Sequence, residues 1–198
     1  APANKVTPQT ATARPTSSVP PSLQRTPVTV GRELQLAAYN ASKTVTLLAG
    51  EPGIGKTHLA RELAPGATVL RCLEGLGAVP FFPLVTKMRD TLTQAPDMGA
   101  YLEDLARFVP ELLPANAPAP GQEVYLKSRA LEAWALYLVQ SGETVLFDDI
   151  QWADSSTLEL ILYLAQRGQP RLFCTYRSTE IQPNLARVLD SLAALGVS

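Results

Sequence analysis

The chain has few of the features that would point to an oxidising or membrane environment. It contains only two cysteines in 198 residues, which gives little support to a disulfide framework or a metal site. Cys72 and Cys174 each fall within a candidate strand, so we expect two buried free thiols. No stretch approaches 18 apolar residues without a charge, and the first residues lack the charged-then-apolar pattern of a signal peptide. The sequence therefore predicts a soluble, cytoplasmic protein without a membrane partner.

A surplus of basic residues is also absent. The first 27 residues carry Lys5, Arg14 and Arg25 and no acid, whereas the rest of the chain carries 14 basic and 18 acidic side chains. A net charge of −4 over residues 28–198 argues against direct nucleic-acid binding. Residues 1–27 are rich in Pro, Thr, Ser and Ala and have few large apolar side chains, so they are predicted to be a disordered linker. A linker at this position suggests a further domain upstream, and residues 28–198 are expected to fold.

A glycine-rich segment follows an apolar run at residues 44–50. It reads Gly50-Glu51-Pro52-Gly53-Ile54-Gly55-Lys56-Thr57 and fits the phosphate-binding pattern G-x-x-x-x-G-K-[ST]. Glycines let consecutive backbone N–H groups converge on an anion, and the next helix directs its positive N-terminal end to the same point. Lys56 is expected to reach the β- and γ-phosphates, and the Thr57 hydroxyl to coordinate Mg²⁺. An ordinary glycine-rich turn is the alternative, but the flanking strand and helix favour a phosphate site.

His58 directly follows this loop and is counted with the nucleotide-contacting residues. A histidine at this point of a helix is also typical of a packing or surface position, which remains the alternative.

Apolar strands alternate with helices along the rest of the chain. Strands are predicted at 44–50, 68–73, 144–147 and 171–176, and helices at 33–42, 55–63 and 122–140, with short helices within 81–113. Leu84, Met88 and Leu92 have helical spacing and mark a packed face. Since each strand is a continuous apolar run, the pattern predicts an α/β fold with a parallel sheet covered by helices on both faces. Ligands of such sheets bind at the carboxyl ends of the strands.

A further helix is predicted after the third strand. Asp154, Ser155 and Ser156 offer N-caps for it, and Ser156 with Glu159 has the spacing of a capping box. Gly168 is expected to end this helix.

Two acidic residues lie where the third predicted strand ends. Asp148 and Asp149 belong to the segment TVLFDDIQWAD, at the position of the Walker B acid of P-loop ATPases. Asp148 is expected to hold Mg²⁺ through water, and Asp149 to act as general base or to orient the attacking water. Two solvated carboxylates before a helix cap are the alternative.

Polar residues also follow the fourth predicted strand. Thr175 and Arg177 would lie within reach of a γ-phosphate if this strand is next to the strand of the glycine-rich loop. A guanidinium there would sense or stabilise the phosphate charge, and a surface arginine is the alternative.

Four segments together resemble the STAND-class branch of AAA+-related ATPases. They are VGRE at 30–33, GEPGIGKT at 50–57, VLFDDIQWAD at 145–154 and TYRSTE at 175–180. The resemblance covers about residues 28–195 and is closest to the ATPase modules of large bacterial multidomain regulators with LuxR-type or SARP-type DNA-binding domains, or with cyclase domains. The doubled aspartate followed by Gln-Trp-Ala-Asp is its most specific part.

The resemblance implies a P-loop NTPase core of the additional-strand AAA+/STAND type, with about five parallel strands. By this resemblance, Val30, Gly31 and Arg32 lie near the adenine and ribose, and Arg177 is the sensor arginine after the Walker B strand. Lys56, Asp149 and Arg177 would then carry a slow hydrolysis of ATP with Mg²⁺. The chain ends before the lid subdomains that close over nucleotide in this class, so we expect a fragment with low affinity and turnover.

The partners that the resemblance implies are nucleotide and the flanking domains of the same polypeptide, including a DNA-binding domain. Self-association that depends on nucleotide is also implied. The expected role is that of a switch in transcriptional regulation and signal transduction.

Other classes of P-loop protein fit the sequence less well. A GTPase would need a base-reading N/T-K-x-D element, and TKMRD at 86–90 has the wrong spacing. An ABC transporter subunit would carry an LSGGQ-like signature, which is missing, and a small-molecule kinase would need a lid richer in arginine than residues 81–121. An AAA+ ATPase of DNA replication or remodelling is a closer alternative, although such families usually carry Asp-Glu at the Walker B position. A nucleotide-binding scaffold without hydrolysis is the third possibility.

Overall fold

A computed structural model describes residues 44–92, 96–117 and 127–196 of the chain. Its strands are β1 (Val45–Gly50), β2 (Thr68–Arg71), β3 (Thr144–Asp148) and β4 (Arg171–Arg177). Its helices are α1 (Lys56–Leu63), α2 (Phe82–Thr91), α3 (Leu102–Ala106), α4 (Lys127–Ser141), α5 (Ser155–Arg167) and α6 (Pro183–Ala194). Short 3-10 turns occupy Gly99–Tyr101, Pro110–Leu112 and Ile150–Trp152. The predicted linker, the predicted helix at 33–42 and the start of the predicted helix at 122–140 lie outside the described residues.

The four strands form one parallel sheet in the order β1-β4-β3-β2. This confirms the parallel α/β architecture, and the described residues contain four strands rather than the five expected. β4 lies directly beside β1, with Gly50 opposite Arg177, as the prediction for Arg177 required. β2 ends earlier than predicted because its partner β3 stops at Asp148, opposite Arg71. The parallel arrangement brings the carboxyl ends of all four strands to one edge of the sheet.

Both faces of the sheet are covered by helices. Leu146 of β3 and Phe173 of β4 pack against Ala60 and Ala64, so α1 and its end cover one face. The residues that alternate with them, such as Val145 and Phe147, join the larger core on the other face, because side chains alternate along a strand. Helices α2, α4, α5 and α6 contribute to this larger core. A continuous apolar strand is therefore buried on both sides, as expected for a parallel sheet.

The apolar stripe of α2 is a packed face, as predicted. Leu84 and Met88 are fully buried, and Leu92 packs against the same core. Phe81, at the start of this helix, is also buried, and its ring meets that of Phe108 edge to face with centroids 5.2 Å apart.

The two cysteines are free and buried, as predicted, although Cys72 lies one residue beyond the end of β2 and only Cys174 lies within a strand. Burial raises the pKa of the Cys174 thiol to about 12. Burial, followed by the nearby charges of Asp154 and Cys174, raises the pKa of the Cys72 thiol far above its ordinary value. Within the part of the chain that the structure describes, no helix combines the length and apolarity needed to cross a bilayer.

The N-terminus of α5 differs from the predicted capping box. The N-cap is Asp154, whose Oδ1 accepts hydrogen bonds from the backbone N–H groups of Thr157 (2.9 Å) and Phe81 (3.0 Å). Its Oδ2 accepts from Thr157 Oγ1 at 2.6 Å. Ser156 instead lies in the first turn, and Glu159 forms an ion pair with Lys127 of α4. Asp154 is the N-cap instead of Ser156 because its buried carboxylate accepts hydrogen bonds both from the first turn of α5 and from the backbone that enters α2.

Candidate nucleotide-binding site

The glycine-rich loop joins the end of β1 to the start of α1. Gly53 and Gly55 have φ angles of 78° and 88°, which residues other than glycine rarely adopt. At Gly50 an added Cβ would lie only 3.2 Å from Ile54 Cγ2, so the loop is tightly folded on itself. The loop therefore has the conformation that glycine permits, directly before the positive end of a helix.

Lys56 lies at the base of this loop and is 7% exposed. Its Nζ donates hydrogen bonds to the carbonyl oxygens of Gly50 (3.0 Å) and Glu51 (2.9 Å). An ammonium group has three protons, and these contacts engage two of them. Among the described residues, the hydrogen-bond partners of this buried positive charge are neutral carbonyls, which suits an anionic ligand, so the loop fits a phosphate group.

Thr57, Asp148 and Thr175 form a hydrogen-bonded cluster at the carboxyl edge of the sheet. Asp148 is 2% exposed, and its Oδ1 accepts from Thr57 Oγ1 at 2.8 Å and from Thr175 Oγ1 at 2.7 Å. Its Oδ2 lies 3.9 Å from Arg71 Nε. The hydroxyl of Thr57 and the carboxylate of Asp148 are the hard oxygen ligands that Mg²⁺ prefers, so the donor set fits this cation.

The structure changes the expected role of Thr175. This residue is fully buried, and its hydroxyl is engaged by Asp148 and by the backbone N–H of Asp149, which donates at 2.9 Å. We expected Thr175 to reach a phosphate, but its oxygen instead connects β4 to the two acidic residues at the end of β3. The reason is that β3 and β4 are adjacent, so a short side chain on β4 spans the gap between them.

Asp149 has a left-handed backbone conformation, which aspartate adopts more readily than most residues other than glycine. Its φ and ψ angles are 59° and 52°, in the left-handed region that is uncommon for residues other than glycine. Its Oδ1 accepts a hydrogen bond from Gln151 Nε2 at 3.0 Å and lies 3.9 Å from Arg177 Nε. The left-handed residue ends β3 sharply and begins the short turn that leads to α5.

Arg177 lies at the end of β4, across from the glycine-rich loop. Its Nη1 donates to Glu180 Oε1 at 2.9 Å, and its guanidinium carbon lies 5.9 Å from the ring centroid of Trp152. The hydrogen bond with Glu180 raises the pKa of Arg177, and the charges of Glu180 and Asp149 add to this effect. Trp152 itself packs against the core.

The structure thus brings the residues predicted from three separate motifs to one edge of the sheet. His58 is on the exposed side of α1, with Nε2 3.3 Å from Glu62 Oε1, and its contact with nucleotide stays a prediction. Val30, Gly31 and Arg32 lie outside the described residues. Sequence reasoning missed three neighbours of the site, namely Arg71, Gln151 and Glu180. Gln151 and Glu180 belong to the quoted motifs, whereas Arg71 is recognisable only from its register with Asp148.

A glycine-rich loop between a parallel strand and a helix, with an acid from a nearby strand against its threonine, defines a P-loop ATPase module. Comparison with protein families agrees, since the AAA ATPase domain matches residues 29–175. The chain belongs to this family of AAA ATPase domains, which indicates nucleotide binding and ATPase activity. No curated protein matched the chain significantly.

Proposed function

We propose that the chain is an ATP-binding and slowly ATP-hydrolysing switch module of STAND type, within a larger signal-responsive transcriptional regulator. The observation that carries the ATPase part is the hydrogen bond of 2.8 Å between Thr57 and Asp148, which are 91 positions apart. It joins the glycine-rich loop to the acid of β3, as magnesium-assisted phosphoryl transfer requires. The regulatory part rests on the resemblance of DDIQWAD and TYRSTE to the motifs of bacterial multidomain regulators.

When bound, Mg²⁺ and ATP supply the γ-phosphoryl group and a cation that offsets its charge. Thr57 and Asp148 would hold the cation, Asp148 through water. Lys56 provides positive charge at the phosphates, and Arg177 stabilises the charge that develops there. Asp149 accepts a proton from the attacking water at Oδ2, the oxygen that does not contact Gln151, or orients that water.

The remaining contacts of this proposal surround the same edge of the sheet. Residues 50–58 would line the phosphates, and Val30, Gly31 and Arg32 the adenine and ribose. The proposed partners are nucleotide, the flanking domains of the same polypeptide and other copies of the module in a cytoplasmic assembly that depends on nucleotide.

Calorimetric titration with ATP, ADP and GTP, with and without Mg²⁺, tests the binding part. The Lys56→Ala variant is expected to bind ATP at least about tenfold more weakly, a loss of about 1.4 kcal/mol or more, because it removes the buried charge of the loop. Lys87→Ala on α2 is the matched control and should bind ATP like the unaltered chain. Equal affinity in Lys56→Ala and the unaltered chain would remove the assignment of the loop.

Phosphate release measured at saturating ATP tests the hydrolytic part. Asp149→Asn should lower kcat by about 100-fold or more while ATP affinity stays within about threefold, since the loss concerns proton transfer rather than binding. The control is Asp90→Asn, which changes an exposed carboxylate of α2. Magnesium-dependent binding without any turnover in the unaltered chain would favour a nucleotide-binding scaffold instead.

A further inference from the structure

Gln151 occupies the turn between β3 and α5 and is 4% exposed. A glutamine amide that is buried to this extent must have both of its ends hydrogen-bonded, because an unpaired polar group in the interior costs free energy. The nitrogen end donates to Asp149 Oδ1 at 3.0 Å, and the oxygen end accepts from the backbone N–H of Arg177 at 3.2 Å. One amide group therefore contacts two of the residues on which the proposed hydrolysis depends.

The oxygen end of this amide provides a hydrogen-bond acceptor for β4 beyond the point where the backbone pairing of β3 with β4 ends. The last paired residues of β3 and β4 are Phe147 and Cys174, and the chain of β3 turns away after Asp148. Arg177, three residues beyond Cys174, then finds its acceptor in the side chain of Gln151. Gln151 thus replaces a missing strand residue and fixes the end of β4 from which the Arg177 side chain extends.

The nitrogen end fixes the acidic residue. Within the described part of the chain, the Asp149 carboxylate accepts one hydrogen bond, and its donor is Gln151. Arg177 Nε lies 3.9 Å from the same oxygen, which is too far for a hydrogen bond. The carboxylate has two rotatable bonds on a backbone that is already in the left-handed region, so this contact selects its orientation.

We propose that Gln151 is a positioning residue that holds the Asp149 carboxylate in place and couples it to the strand end that carries Arg177. The proposal rests on the proposed function for its catalytic consequence, since it assigns Asp149 and Arg177 to hydrolysis. The structural part of the proposal is that the Gln151 amide couples the end of β3 to the end of β4. This part does not depend on ATP hydrolysis and can be measured separately.

Two variants separate the two ends of the amide. Gln151→Leu has a similar volume and loses both hydrogen bonds. Gln151→Glu keeps an oxygen that accepts from Arg177 N–H but replaces the donor to Asp149 with a carboxylate, which repels it. Gln140→Glu, at an exposed position of α4, makes the same change of charge away from the site and is the control. Circular dichroism and thermal unfolding establish that each variant is folded.

The first readout is hydrogen exchange of the Arg177 backbone amide, followed by NMR in the nucleotide-free chain. We expect exchange at least about tenfold faster in Gln151→Leu and within about threefold of the unaltered chain in Gln151→Glu, because only the leucine removes the acceptor. Unchanged exchange in Gln151→Leu would overturn the coupling, whether or not the protein hydrolyses ATP.

The second readout is ATP turnover, with kcat and ATP affinity measured separately. In Gln151→Glu we expect kcat to fall at least about tenfold, while the affinity for ATP stays within about threefold. If Gln151 had only a structural role, kcat would be unchanged in this variant, because the Arg177 backbone amide keeps its acceptor. An unaltered kcat in this variant would refute the positioning of Asp149.

If the unaltered chain shows no turnover, the hydrolytic function fails. The contact between Gln151 and Asp149 is then tested by a double-mutant cycle, in which the free energy of unfolding is measured for Gln151→Leu, Asp149→Ala and the double variant. Additive effects in that cycle would refute the contact.

Discussion

Thr175→Val offers a direct measurement of how strongly the two acidic residues of β3 are held by β4. The substitution keeps the shape of the side chain and its preference for a strand, but it removes the hydroxyl. That hydroxyl is fully buried, donates to Asp148 at 2.7 Å and accepts from the backbone N–H of Asp149 at 2.9 Å. Water has no access to replace it, so both contacts are lost.

The magnitude follows from these two hydrogen bonds. A hydrogen bond to a charged group contributes about 1.5–3 kcal/mol, and a neutral one about 0.5–1.5 kcal/mol. Asp148 retains its contact with Thr57, which limits the loss on that side. We therefore expect Thr175→Val to lower the free energy of unfolding by about 3 kcal/mol. With a urea dependence of about 2 kcal/mol per molar, the midpoint should fall by about 1.5 M.

Thr46→Val is the matched control for this experiment. Thr46 is on the neighbouring strand β1 and is 7% exposed, and its hydroxyl has no hydrogen-bond partner among the described residues. Removing an unsatisfied buried hydroxyl should leave the stability unchanged or raise it slightly. Urea unfolding followed by circular dichroism compares the two variants. Equal shifts in midpoint for Thr175→Val and Thr46→Val would refute the argument that the hydroxyl contacts, and not the loss of a hydroxyl as such, stabilise this edge.

Two further predictions concern stability. Asp154→Ala should lower the free energy of unfolding by about 3 kcal/mol, because it removes the cap of α5 and leaves the buried Phe81 N–H without its acceptor. Thermal unfolding checks this against Asp190→Ala on the surface of α6, and equal melting temperatures would contradict it. The raised pKa values of Cys72 and Cys174 predict a loss of stability in alkali, since the unfolded thiols ionise above pH 9.0 while the buried ones stay protonated. Urea unfolding between pH 8 and 11 should show a loss of about 1.4 kcal/mol per thiol per pH unit above 9, and the double alanine variant should lack this part of the slope.

The parallel sheet was predictable because its strands are continuous apolar runs, and such runs are buried only when helices cover both faces. The glycine-rich loop was predictable because positions 53 and 55 need left-handed backbone, which restricts the residue type. Local chemistry therefore identified the elements and the loop. The ends of the strands were less predictable, since β2 stops where its partner stops and not where its apolar residues end.

The contacts within the site were less predictable, because they depend on which strands are adjacent in the sheet, and a single sequence does not show this. The side chain of Thr175 was expected to face a phosphate, but the adjacency of β3 and β4 turns its hydroxyl to Asp148 and Asp149. The capping box at Ser156 was wrong for a similar reason, because the residue that caps α5 also has to satisfy Phe81, 73 positions earlier. Gln151 attracted no functional prediction, since its role arises only when the ends of β3 and β4 are seen together.

The order of the strands also bears on how the chain folds during its synthesis. β1 is paired with β4, and 120 residues separate the last residue of β1 from the first of β4. At about 5–20 residues per second, a ribosome needs roughly 6–24 s to add them. Until then β1 has no neighbour from the described sheet, and the glycine-rich loop has no partner strand to fix its position. Among the described residues, the nucleotide-binding edge is therefore completed only when β4 has been made, after the other three strands of the sheet.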